Sequence, residues 1–291
     1  MNRTLIYISL LALLHITTAF TQPDAQTYYE SGMKAAKSKD YIKAIGEFTN
    51  AVTMRANFAD AYMERAKAKI QLGEEMGFVN SEACSDLVLS LRYGHKDAAN
   101  MLEKYCMGEC FDTKNAFQDP EMVFCGDFSN KVLADLPDNI SQLTNIIKLN
   151  LFNNKITYFS DKFSPLYTLI SLDLSSNKIT QITPTISKLT LLKELNLNKN
   201  MIAELPNEFG NLQELKYLYL RSNYITELPK SVAKLKSLET LDLSLNKLTT
   251  LPIEIANLKN LKTLILVGND IPKEKQQIIS SLLPQTKIYF E

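Results

Sequence analysis

Four kinds of side chain in this 291-residue chain are equipped for chemistry. Carboxylates come first: Asp173 and Asp242 hold equivalent places in a recurring segment, and a pair of such groups is what glycoside hydrolysis uses. Imidazole comes second, but His15 lies in an apolar leader, and His95 stands alone in the stretch YGHKD. One imidazole supports neither a hydrolytic triad nor a histidine-ligated metal. Thiols come third, as Cys84, Cys106, Cys110 and Cys125. The fourth is the stretch YLYLRSNY, residues 217–224, in which Tyr217, Tyr219, Arg221 and Tyr224 alternate with leucines and an asparagine. Tyrosine and arginine concentrate at the energetic centres of interfaces, so this stretch points to recognition. The nine glycines form no phosphate-cradling loop, and no cofactor or metal is expected.

What the thiols do depends on their compartment. Residues 1–21 carry Arg3, an apolar run from Leu5 to Leu14 and small residues near Ala19. This pattern reads as a secretory signal peptide, cut after Ala19 or within a few residues of it. The competing reading, an uncleaved anchor, needs ~20 apolar residues, more than the run supplies. No second run of spanning length follows, so the expected product has no integral membrane segment and is secreted, periplasmic or extracellular. In an oxidising compartment four cysteines read as two disulfides, with three connectivities open. The pairing favoured is Cys84 with Cys106 and Cys110 with Cys125. Zinc is the alternative, but Cys106-x3-Cys110 lacks a second close pair. Charge is balanced at 32 basic against 32 acidic residues, and neither half carries the basic excess that a nucleic-acid backbone demands.

The elements that position these residues follow from a repeat. Asn154, Asn177, Asn200, Asn223, Asn246 and Asn269 recur every 23 residues, each behind a frame such as LISLDLSSN, LKYLYLRSN or LETLDLSLN. Most repeats continue into LPxxIxxL, as in ITELPKSVAKL and LTTLPIEIANL. The pattern LxxLxLxxN resembles the leucine-rich repeat, and the LP second half resembles the subtype found in signalling scaffolds and many bacterial exported proteins. The resemblance implies a solenoid with a parallel, concave β-sheet. Alternation in each short strand turns the two leucines inward, where stacked repeats share a core. Each asparagine side chain, with two donors and an acceptor, is suited to satisfying main-chain groups in the turns. Residues 131–143 read as a partial first repeat, and 271–284 as an amphipathic helix that closes the core with the strand KIYF.

On such a sheet the residues between the leucines form columns facing out. One reads Lys148, Ser171, Glu194, Tyr217, Thr240, Thr263; the next Asn150, Asp173, Asn196, Tyr219, Asp242, Ile265; the third Phe152, Ser175, Asn198, Arg221, Ser244, Val267. Tyr217, Tyr219 and Arg221 are thus expected side by side in mid-face with Tyr224 at the margin, rimmed by Asp173, Asn196, Asn198 and Asp242. Tyrosines also suit strands for purely structural reasons. Asp173 and Asp242 fall three strands apart, about 14 Å at a strand spacing of ~4.8 Å. Two-carboxylate hydrolysis uses ~5–9.5 Å, so no enzyme is expected.

In the N-terminal half, Tyr28 and Gly32 are echoed 34 residues later by Tyr62 and Ala66, with Tyr41, Ala44, Phe48 and Ala51 between. Small residues let two helices approach, and Phe48 fills the gap. The spacing resembles the tetratricopeptide repeat, with an insertion near EEMGFVN. That resemblance implies a groove lined by Tyr29, Met33, Met63 and Lys67, a set unlike the Lys/Asn clamp that grips a peptide carboxylate.

The expected organisation is a signal peptide over 1–21, a tetratricopeptide-like helical domain over 22–106, a cysteine-containing junction and cap over 107–130, a leucine-rich-repeat solenoid over 131–270, and a C-terminal cap over 271–291. The function it points to is an exported, non-enzymatic scaffold or adaptor that binds a protein or peptide through the concave face. A surface adhesion or glycan-recognition protein, stacking aromatics on sugar rings, is the alternative.

Overall fold

The computed structural model describes residues 23–77, 81–106, 108 and 110–291. The signal peptide expected over 1–21 lies outside them. The chain divides into two compact units, residues 1–79 and 80–291.

Among the described residues, the first unit holds three helices, α1 (Ala25–Lys37), α2 (Tyr41–Met54) and α3 (Ala59–Met76). Asp24 and Asp40 cap the first two, each accepting a main-chain N–H with its carboxylate, from Thr27 at 2.8 Å and Lys43 at 3.1 Å. Of the insertion EEMGFVN, Glu74, Glu75 and Met76 lengthen α3, which ends on Gly77 in the left-handed conformation (φ 76°) that glycine adopts without strain. Phe48 is fully buried and fills the space left by Gly32, where an added Cβ would lie 2.6 Å from the ring.

The second unit begins with α4 (Ser81–Arg92) and α5 (Ala98–Tyr105). The division at 79/80 places these two helices in one compact unit with the repeats, although their sequence pattern groups them with α1–α3. Cys84 and Cys106 join α4 to the end of α5 (Cα–Cα 5.7 Å), and Cys110 is joined to Cys125 (4.5 Å). The pairing is the favoured one.

A nine-stranded, all-parallel sheet follows: β1 (Phe111–Asp112), β2 (Cys125–Asp127), β3 (Lys148–Asn150), β5 (Ser171–Asp173), β7 (Glu194–Asn196), β8 (Tyr217–Tyr219), β9 (Thr240–Asp242), β10 (Thr263–Ile265) and β11 (Lys287–Tyr289). Two further short strands, β4 (Tyr158–Phe159) and β6 (Gln181–Ile182), pair with each other. The frame leucines form one continuous core from the cap to Leu283. At its N-terminal end the ladder runs past the repeats into the cysteine-bearing cap, where Cys125 aligns with Lys148. At its other end helix α6 (Lys273–Leu282) buries Ile279, and β11 adds the last strand.

The asparagine column is continuous. Asn223 donates from Nδ2 to the carbonyls of Leu197 (3.0 Å) and Leu220 (2.9 Å), and its Oδ1 accepts the N–H of Ile202 at 3.0 Å. Asn177, Asn200, Asn246 and Asn269 repeat this pattern one turn apart. The residue before each of these asparagines is left-handed: Ser176, Lys199, Ser222, Leu245 and Gly268 have φ of 56°, 53°, 57°, 53° and 73°. The turn geometry, not residue type, dictates that conformation, so it falls even on Leu245.

Candidate partner-binding face

The strand register fixes the face. Ser171, Glu194, Tyr217 and Thr240 align in one row, and Asp173, Asn196, Tyr219 and Asp242 in the next. Leu218 and Leu220 are fully buried, so Tyr217 and Tyr219 both turn outward on β8, with exposed Arg221 two residues further on. Tyr217 is 37% exposed and Tyr219 half-buried. Burial raises the Tyr219 phenol above its usual value, and the charges of Glu194, Tyr217 and Asp242 add to the effect. Arg221 donates from Nη1 to Ser244 Oγ at 3.2 Å, which holds its side chain toward the next repeat. Tyr224 is 46% exposed, and the Lys247 ammonium lies 4.8 Å from its ring centre.

The polar neighbours have work of their own. Asp173 Oδ1 accepts the N–H of Ser175 at 2.8 Å, Asn196 Oδ1 that of Asn198 at 3.1 Å, and Asp242 Oδ1 that of Ser244 at 2.9 Å. Asp127 and Asn150 do the same for Ser129 and Phe152. Each forms an Asx turn that closes the end of its strand. Tyr219 stands in this column with no oxygen at that position, and Asn198 of the preceding repeat compensates: its Oδ1 accepts the Arg221 N–H at 2.7 Å. Asp173 and Asp242 are separated by the strands β7 and β8.

Of the helical candidates, Tyr29 is half-buried, with ring centres 5.8 Å from Phe48 and 5.0 Å from Phe58. Met63 is buried. Met33 is exposed, and Lys67 pairs with Glu64 at 2.7 Å on its own helix. Met33 and Lys67 are therefore the members of the set that present surface.

Sequence reasoning passed over a second group. Lys193 Nζ, just before β7, meets Glu103 Oε1 at 3.1 Å and Asn100 Oδ1 at 2.9 Å, both on α5. Lys96 pairs with Glu214 at 2.8 Å, and Arg92 lies over the ring of Tyr167 at 5.7 Å. The hairpin of α4 and α5 is thus seated along the edge where β5, β7 and β8 begin. A cavity of about 210 Å³ remains between them, lined by Asn100, Glu103, Ser171, Glu194, Lys216 and Tyr217 among others. Partners this far apart in the chain, from Arg92 and Tyr167 to Lys96 and Glu214, leave no local pattern by which a sequence could announce them.

A family model described as a leucine-rich repeat region matches residues 207–282, and a leucine-rich repeat model matches residues 167–225. This part of the chain is a leucine-rich-repeat region. Among solved structures, an LRR protein of Leptospira interrogans is 39% identical over 54% of this chain and 40% of its own, with a TM-score of 0.53. An internalin of Listeria monocytogenes is 26% identical over 53% of this chain and 44% of its own, at a TM-score of 0.46. The LRR ectodomain of a plant membrane receptor kinase from Arabidopsis thaliana is 29% identical over 53% of this chain and 19% of its own, also at 0.46. This chain thus matches two fifths of the leptospiral protein's length. No curated protein matches the chain.

Proposed function

We propose that this leucine-rich-repeat region is the recognition part of an exported, non-enzymatic scaffold, and that it binds a protein or peptide through the concave face around Tyr217, Tyr219 and Arg221. One observation carries the reading: two tyrosines lie side by side on a single strand in mid-face, outside the core, with an exposed arginine beside them. Rings with few rotatable bonds offer a large contact area at little entropic cost, and such residues form the anchors of interfaces. A protein partner is favoured over a glycan because Asp173, Asn196 and Asp242 each commit one oxygen to a main-chain N–H, leaving fewer acceptors for sugar hydroxyls. Export is the part of the proposal that rests on the leader over residues 1–21 and on the two disulfides. The helices α1–α3, read as tetratricopeptide-like, would give an adaptor a second surface through Met33 and Lys67.

The test is capture from the native exported or surface fraction by the mature chain, beside a Tyr217→Ala/Tyr219→Ala/Arg221→Ala variant of unchanged circular dichroism. An anchor of this kind contributes ~2 kcal/mol or more, so the triple variant should lose the partner. Equal capture by both would move the search to the helices or the convex side.

A further inference from the structure

The cleft between α5 and the starts of β5, β7 and β8 opens beside Tyr217, and its lining includes two lysines and two glutamates. Lys193, at its base, is committed to Glu103 and Asn100 on α5. Lys216 also lines it, and its charge assists the Lys262 hydrogen bond (2.6 Å) that chiefly holds the Glu239 carboxyl below its ordinary value. That leaves Glu194. Its carboxylate is half-buried, and among the described residues its one hydrogen bond is long, 3.4 Å from Ser171 Oγ. In register, Glu194 lies between Ser171 and Tyr217, so an exposed aromatic ring stands next to an under-served carboxylate.

We propose that this cleft receives a lysine or arginine side chain of the partner, seated between the Glu194 carboxylate and the Tyr217 ring, with helix α5 as the opposite wall. The proposal rests on the concave-face reading and specifies what the partner presents there. Three physical arguments select a cation. A carboxylate seated between Glu194 and the Tyr217 ring would face the Glu194 charge at close range and be repelled. An apolar side chain would remove the half-buried carboxylate from water without giving it a partner, which is costly. A cation satisfies Glu194 by a charge-assisted hydrogen bond and meets the negative face of the tyrosine ring. Asn100 keeps its Nδ2 for a main-chain carbonyl of the same partner segment, because its Oδ1 is taken by Lys193. In this arrangement the hairpin contributes to specificity: the disulfide Cys84–Cys106 and the pairs Lys96–Glu214 and Lys193–Glu103 set the width of the cleft.

The experiment is selection of a phage-displayed library of random linear peptides on the oxidised full chain, followed by affinity measurements on the recovered peptides. The expected result is a lysine or arginine at one fixed position, and about ten- to a hundredfold weaker binding to Glu194→Gln. Asn100→Arg, which places a cation on the α5 wall, should weaken the same peptides to a similar degree. Peptides that lose affinity for Tyr219→Ala but carry no fixed basic residue, or that bind Glu194→Gln unchanged, overturn the cleft proposal and leave the concave-face reading standing. Failure to recover any peptide sensitive to Tyr217→Ala or Tyr219→Ala overturns both.

Discussion

Removing two adjacent asparagines of the column should cost more than the sum of removing each. Every inner carbonyl of the column is served twice: Leu197 O accepts from Asn200 at 3.1 Å and from Asn223 at 3.0 Å. Leu174 O is shared in the same way by Asn177 and Asn200, and Leu220 O by Asn223 and Asn246. Asn223→Ala therefore orphans only the N–H of Ile202, and Asn200→Ala only that of Ile179. A buried donor without a partner costs about 1–3 kcal/mol, so each single variant should lose ~2 kcal/mol. The double variant orphans a third group, Leu197 O, which neither single variant exposes. That predicts a coupling of about 1–3 kcal/mol on top of the two single effects. Asn154→Ala with Asn223→Ala is the control, because those two share no carbonyl and should add to within about 0.5 kcal/mol. Urea unfolding of the oxidised full chain, followed by far-ultraviolet circular dichroism, measures all of them; the chain has no tryptophan to report instead. A coupling below about 0.5 kcal/mol for the adjacent pair would refute the shared-acceptor account.

Gly32→Ala should destabilise the first unit by about 1–2 kcal/mol, since the new methyl meets the buried Phe48 ring at 2.6 Å and overpacking outweighs the gain in helix propensity; thermal melts by circular dichroism decide it. Leu245→Asn should stabilise the repeats by roughly 1 kcal/mol, because a left-handed leucine is strained and asparagine tolerates that conformation; the urea midpoint reads the shift. Tyr219→Phe should make the fold less sensitive to alkali. The raised folded-state value means that the neutral phenol stabilises the fold at pH below the ordinary range near 10, and that this contribution is lost as pH rises through the folded value. Stability compared at neutral pH and at the onset of alkaline unfolding checks it.

The repeat region was legible because its determinants are periodic and local. The 23-residue spacing gives the strands, the inward leucines, the asparagine column and the six-strand register without reference to anything distant. The cap helix and final strand follow from the need to cover the last turn. What the sequence could not carry is the seat of α4 and α5. Their pattern is that of an amphipathic hairpin, and nothing within it names Lys193 or Glu214 as the residues it will meet. The work of Asp173, Asn196 and Asp242 was hidden for a different reason. Their outward position suggests a rim for binding, and the same short carboxylate or amide also closes the strand by accepting an N–H two residues on. Position in the pleat says which way a side chain leaves the strand, not which of two jobs it then takes.

Tyr219 separates those two jobs. Every neighbour in its column from Asp127 to Asp242 supplies the Asx acceptor, and Tyr219 alone among them does not, so its repeat depends on Asn198 to reach across for the Arg221 N–H. A residue chosen for the turn would be Asn or Asp, and a ring in that place is a departure from local stability. Tyr219→Asn should therefore restore the local acceptor, leave the unfolding free energy in urea unchanged or raise it by up to about 0.5–1 kcal/mol, and abolish partner capture. Asn198→Ala should do the reverse, costing about 0.5–1 kcal/mol by removing the acceptor of the exposed Arg221 N–H while leaving both tyrosines in place. If Tyr219→Asn instead destabilises the fold by more than ~1 kcal/mol, the ring is a structural cover over its neighbours, and the case for an interface centred on β8 falls with it.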